Sequence, residues 1–165
     1  MKKIIRITGM GLLALLIIIQ FFQTEKNSNT TASALANDIS TIYPLPDNVK
    51  SIVETSCYDC HSNNSNYPWY DNIQPVSWWL HNHIEEGKKE INFNEFASYS
   101  IRRQYKKLEE IIKQVKEDEM PLSSYTIIHT NAKLSPEKKL ILSAWAAALR
   151  DSIKMKYPAD SLIKK

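Results

Sequence analysis

Thr55-Ser56-Cys57-Tyr58-Asp59-Cys60-His61-Ser62 is the stretch from which the rest of the chain is best read. Cys57 and Cys60 are the only two cysteines, and a histidine follows the second directly. C-x-x-C-H is the attachment sequence of c-type haem. On a helix, residues three and four apart share a face, so Cys57, Cys60 and His61 are expected to point the same way. Two thiols so placed can add to the two vinyl groups of a haem while His61 reaches the iron as proximal ligand. Three other readings use the same residues. A C-x-x-C pair can be a thioredoxin-like redox site, which requires a βαβ setting that nothing nearby supplies. It can be half of a zinc site, with His81, His83 or His129 completing four ligands in the absence of a second cysteine pair. It can also close a disulfide in an oxidising compartment.

Upstream, Met1 to Arg6 is basic, and Ile7 to Phe22 is uncharged and strongly apolar. This pattern predicts a targeting or anchoring element outside the fold. The basic residues predict an N-terminus kept in the cytoplasm, with everything after it exported. The apolar run is slightly shorter than the about 17–25 residues that usually span a bilayer, and Ile4 and Ile5 can extend it if Arg6 snorkels. Small-residue cleavage patterns, Ala32-Ser33-Ala34 and Ala34-Leu35-Ala36, lie well beyond Phe22. The expectation is therefore an uncleaved signal anchor over residues 1–23, single-pass in the inner membrane, with a cleaved signal peptide as the alternative. Residues 24–43, rich in Asn, Ser, Thr and Ala, read as a flexible tether.

Downstream, the pattern is helical throughout. A helix starts near Asp47, carries Val49, Ile52 and Val53 on one face, and runs into Cys57. Ser62-Asn63-Asn64-Ser65-Asn66 is a loop by composition. Pro75 suits the first turn of a helix bearing Val76, Trp78, Trp79, Leu80, His83 and Ile84, with Gly87 as its stop. The longest helix is expected over Ser100–Glu119, where Ile101, Tyr105, Leu108, Ile111, Ile112 and Val115 recur every three or four positions. Met120-Pro121 breaks it. Ser135 then caps a last helix with Pro136 at its first position and a stripe of Leu140, Ile141, Ala144, Trp145, Ala148, Leu149 and Ile153. Trp69, Trp78, Trp79 and Trp145 read most simply as core. No segment alternates as a strand does, so the fold class is all-α, with a helical domain over 44–157 and a loose tail over 158–165.

Lys2, Lys3 and Arg6 account for the whole excess of 21 basic over 18 acidic residues. The remainder is neutral, which argues against a nucleic-acid partner. With 43% hydrophobic and 24% charged residues in a chain of 165, one domain with a modest core is expected.

The order of these features resembles a class I c-type cytochrome. It is more closely similar to the haem-binding-domain family of exported bacterial proteins. The resemblance rests on Cys57-Tyr58-Asp59-Cys60-His61-Ser62, Tyr67-Pro68-Trp69-Tyr70, Pro75-Val76-Ser77-Trp78-Trp79-Leu80, Gly87 with Asn92-Phe93, and Met120-Pro121 with Leu134-Ser135-Pro136-Glu137. It implies one covalent haem c and a redox role with an unidentified partner protein. Met120, at the position of the distal-ligand loop in class I cytochromes, is the candidate sixth iron ligand, and His81, His83 and His129 are its rivals. The expected function is a membrane-tethered monohaem cytochrome that transfers single electrons and is not an enzyme. A haem-based ligand sensor and a redox-inactive Cys-pair module are the alternatives.

Overall fold

The computed structural model describes residues 1–163. Its α-helices are α1 (Lys2–Ile19), α2 (Asp47–Ser56), α3 (Tyr58–His61), α4 (Val76–Glu90), α5 (Ile101–Lys116), α6 (Ser123–Thr126), α7 (Pro136–Lys156) and α8 (Ala159–Leu162). No β-strand forms among the described residues, and one isolated bridge joins Ser28 to Asn64. The all-α expectation holds.

The two longest helices of the body begin as their sequences dictate. The Ser100 hydroxyl accepts from the Arg103 amide at the start of α5, and the Ser135 hydroxyl accepts from Lys138 at the start of α7, with Pro136 in the first turn. Each satisfies an amide that would otherwise have no partner. The end of α5 was expected at Met120-Pro121 but comes earlier. Asp118 adopts φ 60, and the Glu119 amide reaches back 3.0 Å to the Gln114 carbonyl. This is a Schellman turn, a left-handed residue closing the last helical turn. The Met120 amide shares the same carbonyl at 3.2 Å.

α5 and α7 form the scaffold. Arg150 pairs with Glu109 and Lys139 with Asp118, so the two helices run antiparallel. Between and around them lie Leu108, Val115, Leu142, Trp145, Ala146, Leu149 and Ile153, joined by Val49, Ile52 and Val53 from α2 and by Phe93 and Phe96. Phe96 has no exposed surface, and burial on that scale is worth about 1.5–3 kcal/mol. The stripe expected on α7 is partly displaced. Leu142 and Ala146 are buried in place of Leu140, which is 71% exposed, and Ala144 and Ala148 also face outward. Of the four tryptophans only Trp145 is core, its indole donating to the Pro44 carbonyl at 3.0 Å. Trp69, Trp78 and Trp79 are exposed.

Three boundary expectations are corrected. Residues 24–43 are not a flexible tether. Ile39 is fully buried, Asp38 and Thr31 cap short 3-10 turns, and Asn27 donates to Ser62 and Ser65. The tail of 158–165 is not loose as far as Ile163, since α8 places Leu162 in the core; Lys164 and Lys165 lie outside the described residues.

The third concerns the expected membrane anchor, because among the described residues no helix is long and apolar enough to cross a membrane. The 18 residues of α1 rise about 27 Å at 1.5 Å each, short of a hydrocarbon core of about 30 Å, and Lys2, Lys3 and Arg6 fall within them. α1 buries none of its residues in the domain, yet its exit is fastened down. Gln20 exchanges two hydrogen bonds with the Gln74 backbone at 2.9 and 3.1 Å, and Trp78 donates its indole N–H to the Phe22 carbonyl at 2.9 Å.

Candidate functional site

The C-x-x-C-H segment is bent rather than continuously helical. The Cys57 amide still donates to Val53, completing α2, but Cys57 itself leaves helical geometry at φ −127 and ψ −39. α3 then restarts, with the Cys60 and His61 amides both donating to the Cys57 carbonyl. Cys57 thus stands at the bend, outside the helical turn that carries Cys60 and His61. Cys57 and His61 line a cavity of about 440 Å³, while Cys60 is not among its lining residues. Cys60 sits instead against Gly87, whose added Cβ would lie 2.8 Å from the Cys60 carbonyl oxygen and 3.3 Å from His61 Cε1.

Gly87 was expected to stop α4. The helix runs three residues past it to Glu90, and the glycine instead admits α3 to contact. The same closeness fixes His61. Its Nδ1 lies 2.9 Å from the Gly87 carbonyl and 3.0 Å from the Ile91 carbonyl. A carbonyl only accepts, so Nδ1 carries the proton and Nε2 keeps the lone pair. Burial lowers the His61 pKa against the opposing pull of those two carbonyls. The ring is thus held neutral and oriented, the condition a metal-ligating imidazole needs.

The rest of the wall is supplied by Phe93, Ile111, Val115, Leu134 and Leu142, with Met120 and Pro121 at the end of α5. His61 and Met120 line the same cavity, as expected. His81, His83 and His129 do not line it. His81 stacks on Tyr67 and faces Asp71, His83 bonds to the Trp79 carbonyl, and His129 bonds to Tyr70. Lys107 also borders the cavity, held at 2.8 Å by Glu90 and 2.6 Å by Glu110.

The cysteines are unbridged. Burial and the neighbouring Cys60 push the Cys57 thiol up to about 12, and burial and Asp59 push Cys60 up to about 11. A redox-active C-x-x-C pair needs a depressed thiol pKa, so the thioredoxin-like reading is disfavoured. Among the described residues no group of three or more His, Cys, Asp and Glu side chains could hold a metal ion, which leaves the zinc reading without its ligands.

The residues fit a haem. The cavity is of cofactor size and mainly apolar. It combines an oriented imidazole, a thiol and a thioether, and the Ser56 hydroxyl buried in its wall has no hydrogen-bond partner. Sequence reasoning missed the spacing role of Gly87 and the two carbonyls on His61. One signal was present: Gly87 is the only glycine outside the apolar N-terminal run, and it sits inside a helical pattern.

A family model described as a haem-binding domain matches residues 14–148. That range includes most of the packed segment before α2. No curated protein and no solved structure matches the chain.

Proposed function

The chain belongs to the haem-binding-domain family, and on that premise we propose that it carries a single haem c and transfers single electrons. Thioethers from Cys57 and Cys60 hold the group, with His61 as proximal and Met120 as distal iron ligand. The bound group supplies a one-electron couple. The chain's own residues do the rest. Gly87 and Ile91 orient His61, the apolar wall excludes water, and the Met120 sulfur, a soft donor, favours the ferrous state and a high potential. The observation that carries this reading is the His61 ring oriented by two backbone carbonyls, in a cavity that Cys57 and Met120 also line.

Met120→Ala tests it. Native protein should be six-coordinate and low-spin, show the weak near-infrared Fe–S band, and resist carbon monoxide when reduced. The variant should become partly high-spin and bind carbon monoxide. Changing His81, His83 or His129 should leave the spin state alone. A native ferrous form that takes carbon monoxide readily would instead make the protein a ligand-binding sensor.

We place the domain on the extracytoplasmic side, with α1 as the export and lipid-contacting element, because its exposed Leu and Ile side chains are buried by nothing in the domain. N-terminal sequencing of membrane-fractionated protein should begin at Met1 or Lys2. A start beyond Phe22 would show that α1 is a removed signal.

A further inference from the structure

The segment between Pro121 and Leu134 carries the chain from Met120 back to α7; Ala132 near its end is fully buried, but few hydrogen bonds tie the segment to the rest of the domain. Its backbone hydrogen bonds close on itself, within Leu122–Ile128 and His129–Lys133. Two side-chain hydrogen bonds leave it. The Tyr125 hydroxyl donates to Asp59 Oδ2 at 2.5 Å, and His129 Nε2 lies 2.8 Å from the Tyr70 hydroxyl. The Tyr125 and His129 rings stack at 4.3 Å and 12°, so the two bonds act as one unit.

Where the first bond lands is the informative point. Asp59 is the residue between Cys60 and Tyr58 in the C-x-x-C turn, and it is itself held. Its other carboxylate oxygen accepts from the Asn66 amide at 3.1 Å, and its carbonyl accepts from Ser65 at 2.6 Å. The segment that follows Met120 is thus tied to the attachment turn by a charge-assisted hydrogen bond, the stronger class. On its other side Met120 is held only by its amide bond to Gln114.

We propose that Tyr125 is a positioning residue for Met120: its bond to Asp59 keeps the segment that follows Met120 closed against the cavity that Met120 and His61 both line. The Tyr70–His129 pair is the outer half of the same clamp. The inference rests on the reading of Met120 as distal ligand, and the test separates the two.

The experiment uses the full-length haem-loaded protein. Tyr125→Phe keeps the ring stacked on His129 and deletes only the hydroxyl. It should retain its haem, as judged by mass, while ferrous carbon monoxide association rises roughly tenfold and the Fe–S band weakens, the scale expected for one charge-assisted hydrogen bond. Tyr70→Phe, which removes the hydroxyl bonded to His129 and leaves Asp59 its bond to Tyr125, should move the same readouts in the same direction by less, and carries the test if Tyr125→Phe fails to accumulate. Met120→Ala sets the fully open limit. If Met120→Ala admits carbon monoxide and both tyrosine variants bind it as slowly as native protein, the clamp is overturned and the Met120 reading stands. If Met120→Ala itself leaves spectrum and binding unchanged, the distal-ligand reading fails and the clamp with it.

Discussion

Alanine at both Cys57 and Cys60 is expected to give a protein whose denatured mass equals that of the bare polypeptide, where native protein exceeds it by one haem. The effect should be all or none, because a thioether survives denaturation and packing contacts do not. Burial pushes the Cys57 thiol up to about 12 and the Cys60 thiol up to about 11, so neither is an exchange-active thiolate at neutral pH. The bend at Cys57 makes the two single variants informative. Cys57 lines the cavity and Cys60 lies against Gly87, so the two thiols meet the group from different surroundings. His61→Ala should also impair loading, by removing the one imidazole in the wall. Native protein that loses its haem on a denaturing gel would refute covalent attachment while leaving haem binding in place.

Gly87→Ala is expected to be the most damaging single-methyl change in the chain. The added Cβ would stand 2.8 Å from a backbone carbonyl oxygen, which cannot swing aside as a side chain can. α4 cannot retreat either, since the Gly87 and Ile91 carbonyls would pull away from His61 Nδ1 at 2.9 and 3.0 Å. Overpacking of this kind costs about 1–3 kcal/mol. Alanine's helix propensity returns about 1 kcal/mol of that. Valine has no such compensation and should cost more. The displaced ring adds a second signature, a perturbed proximal ligand visible in the haem spectrum. Gly9 and Gly11 provide the control, because nothing lies within 4 Å of a Cβ at either, and alanine there should be harmless. A Gly87→Ala protein with native denaturant midpoint and native spectrum would show that α3 and α4 can separate at no cost.

The helical character and the haem-binding family were legible in the sequence because their signals are local. Helical periodicity, the caps at Ser100 and Ser135, and C-x-x-C-H are all patterns within a few residues. What was not legible depends on distant partners. Composition alone made residues 24–43 look like tether, but Asn27, Asp38 and Ile39 find their partners in Ser62, Asn94 and the core, more than twenty residues away or spread along the chain. Gly87 resembled a helix stop because a glycine's local preference is visible and the approach of Cys60 is not. Asp118 ended α5 before Pro121 could, through a left-handed turn that aspartate tolerates but does not announce. The three exposed tryptophans were taken as core because size and apolarity, without a contact map, point inward.

The fastening of α1 to the start of α4 bears on how far the domain can move relative to that helix. A loose chain over residues 24–43 would have a root-mean-square span of roughly 25 Å, enough for the domain to turn freely about α1. With Gln20 bonded to Gln74 and Phe22 to Trp78, that freedom is lost. The cavity keeps one bearing relative to the axis of α1. Whatever α1 rests against therefore also sets the direction in which the cavity opens.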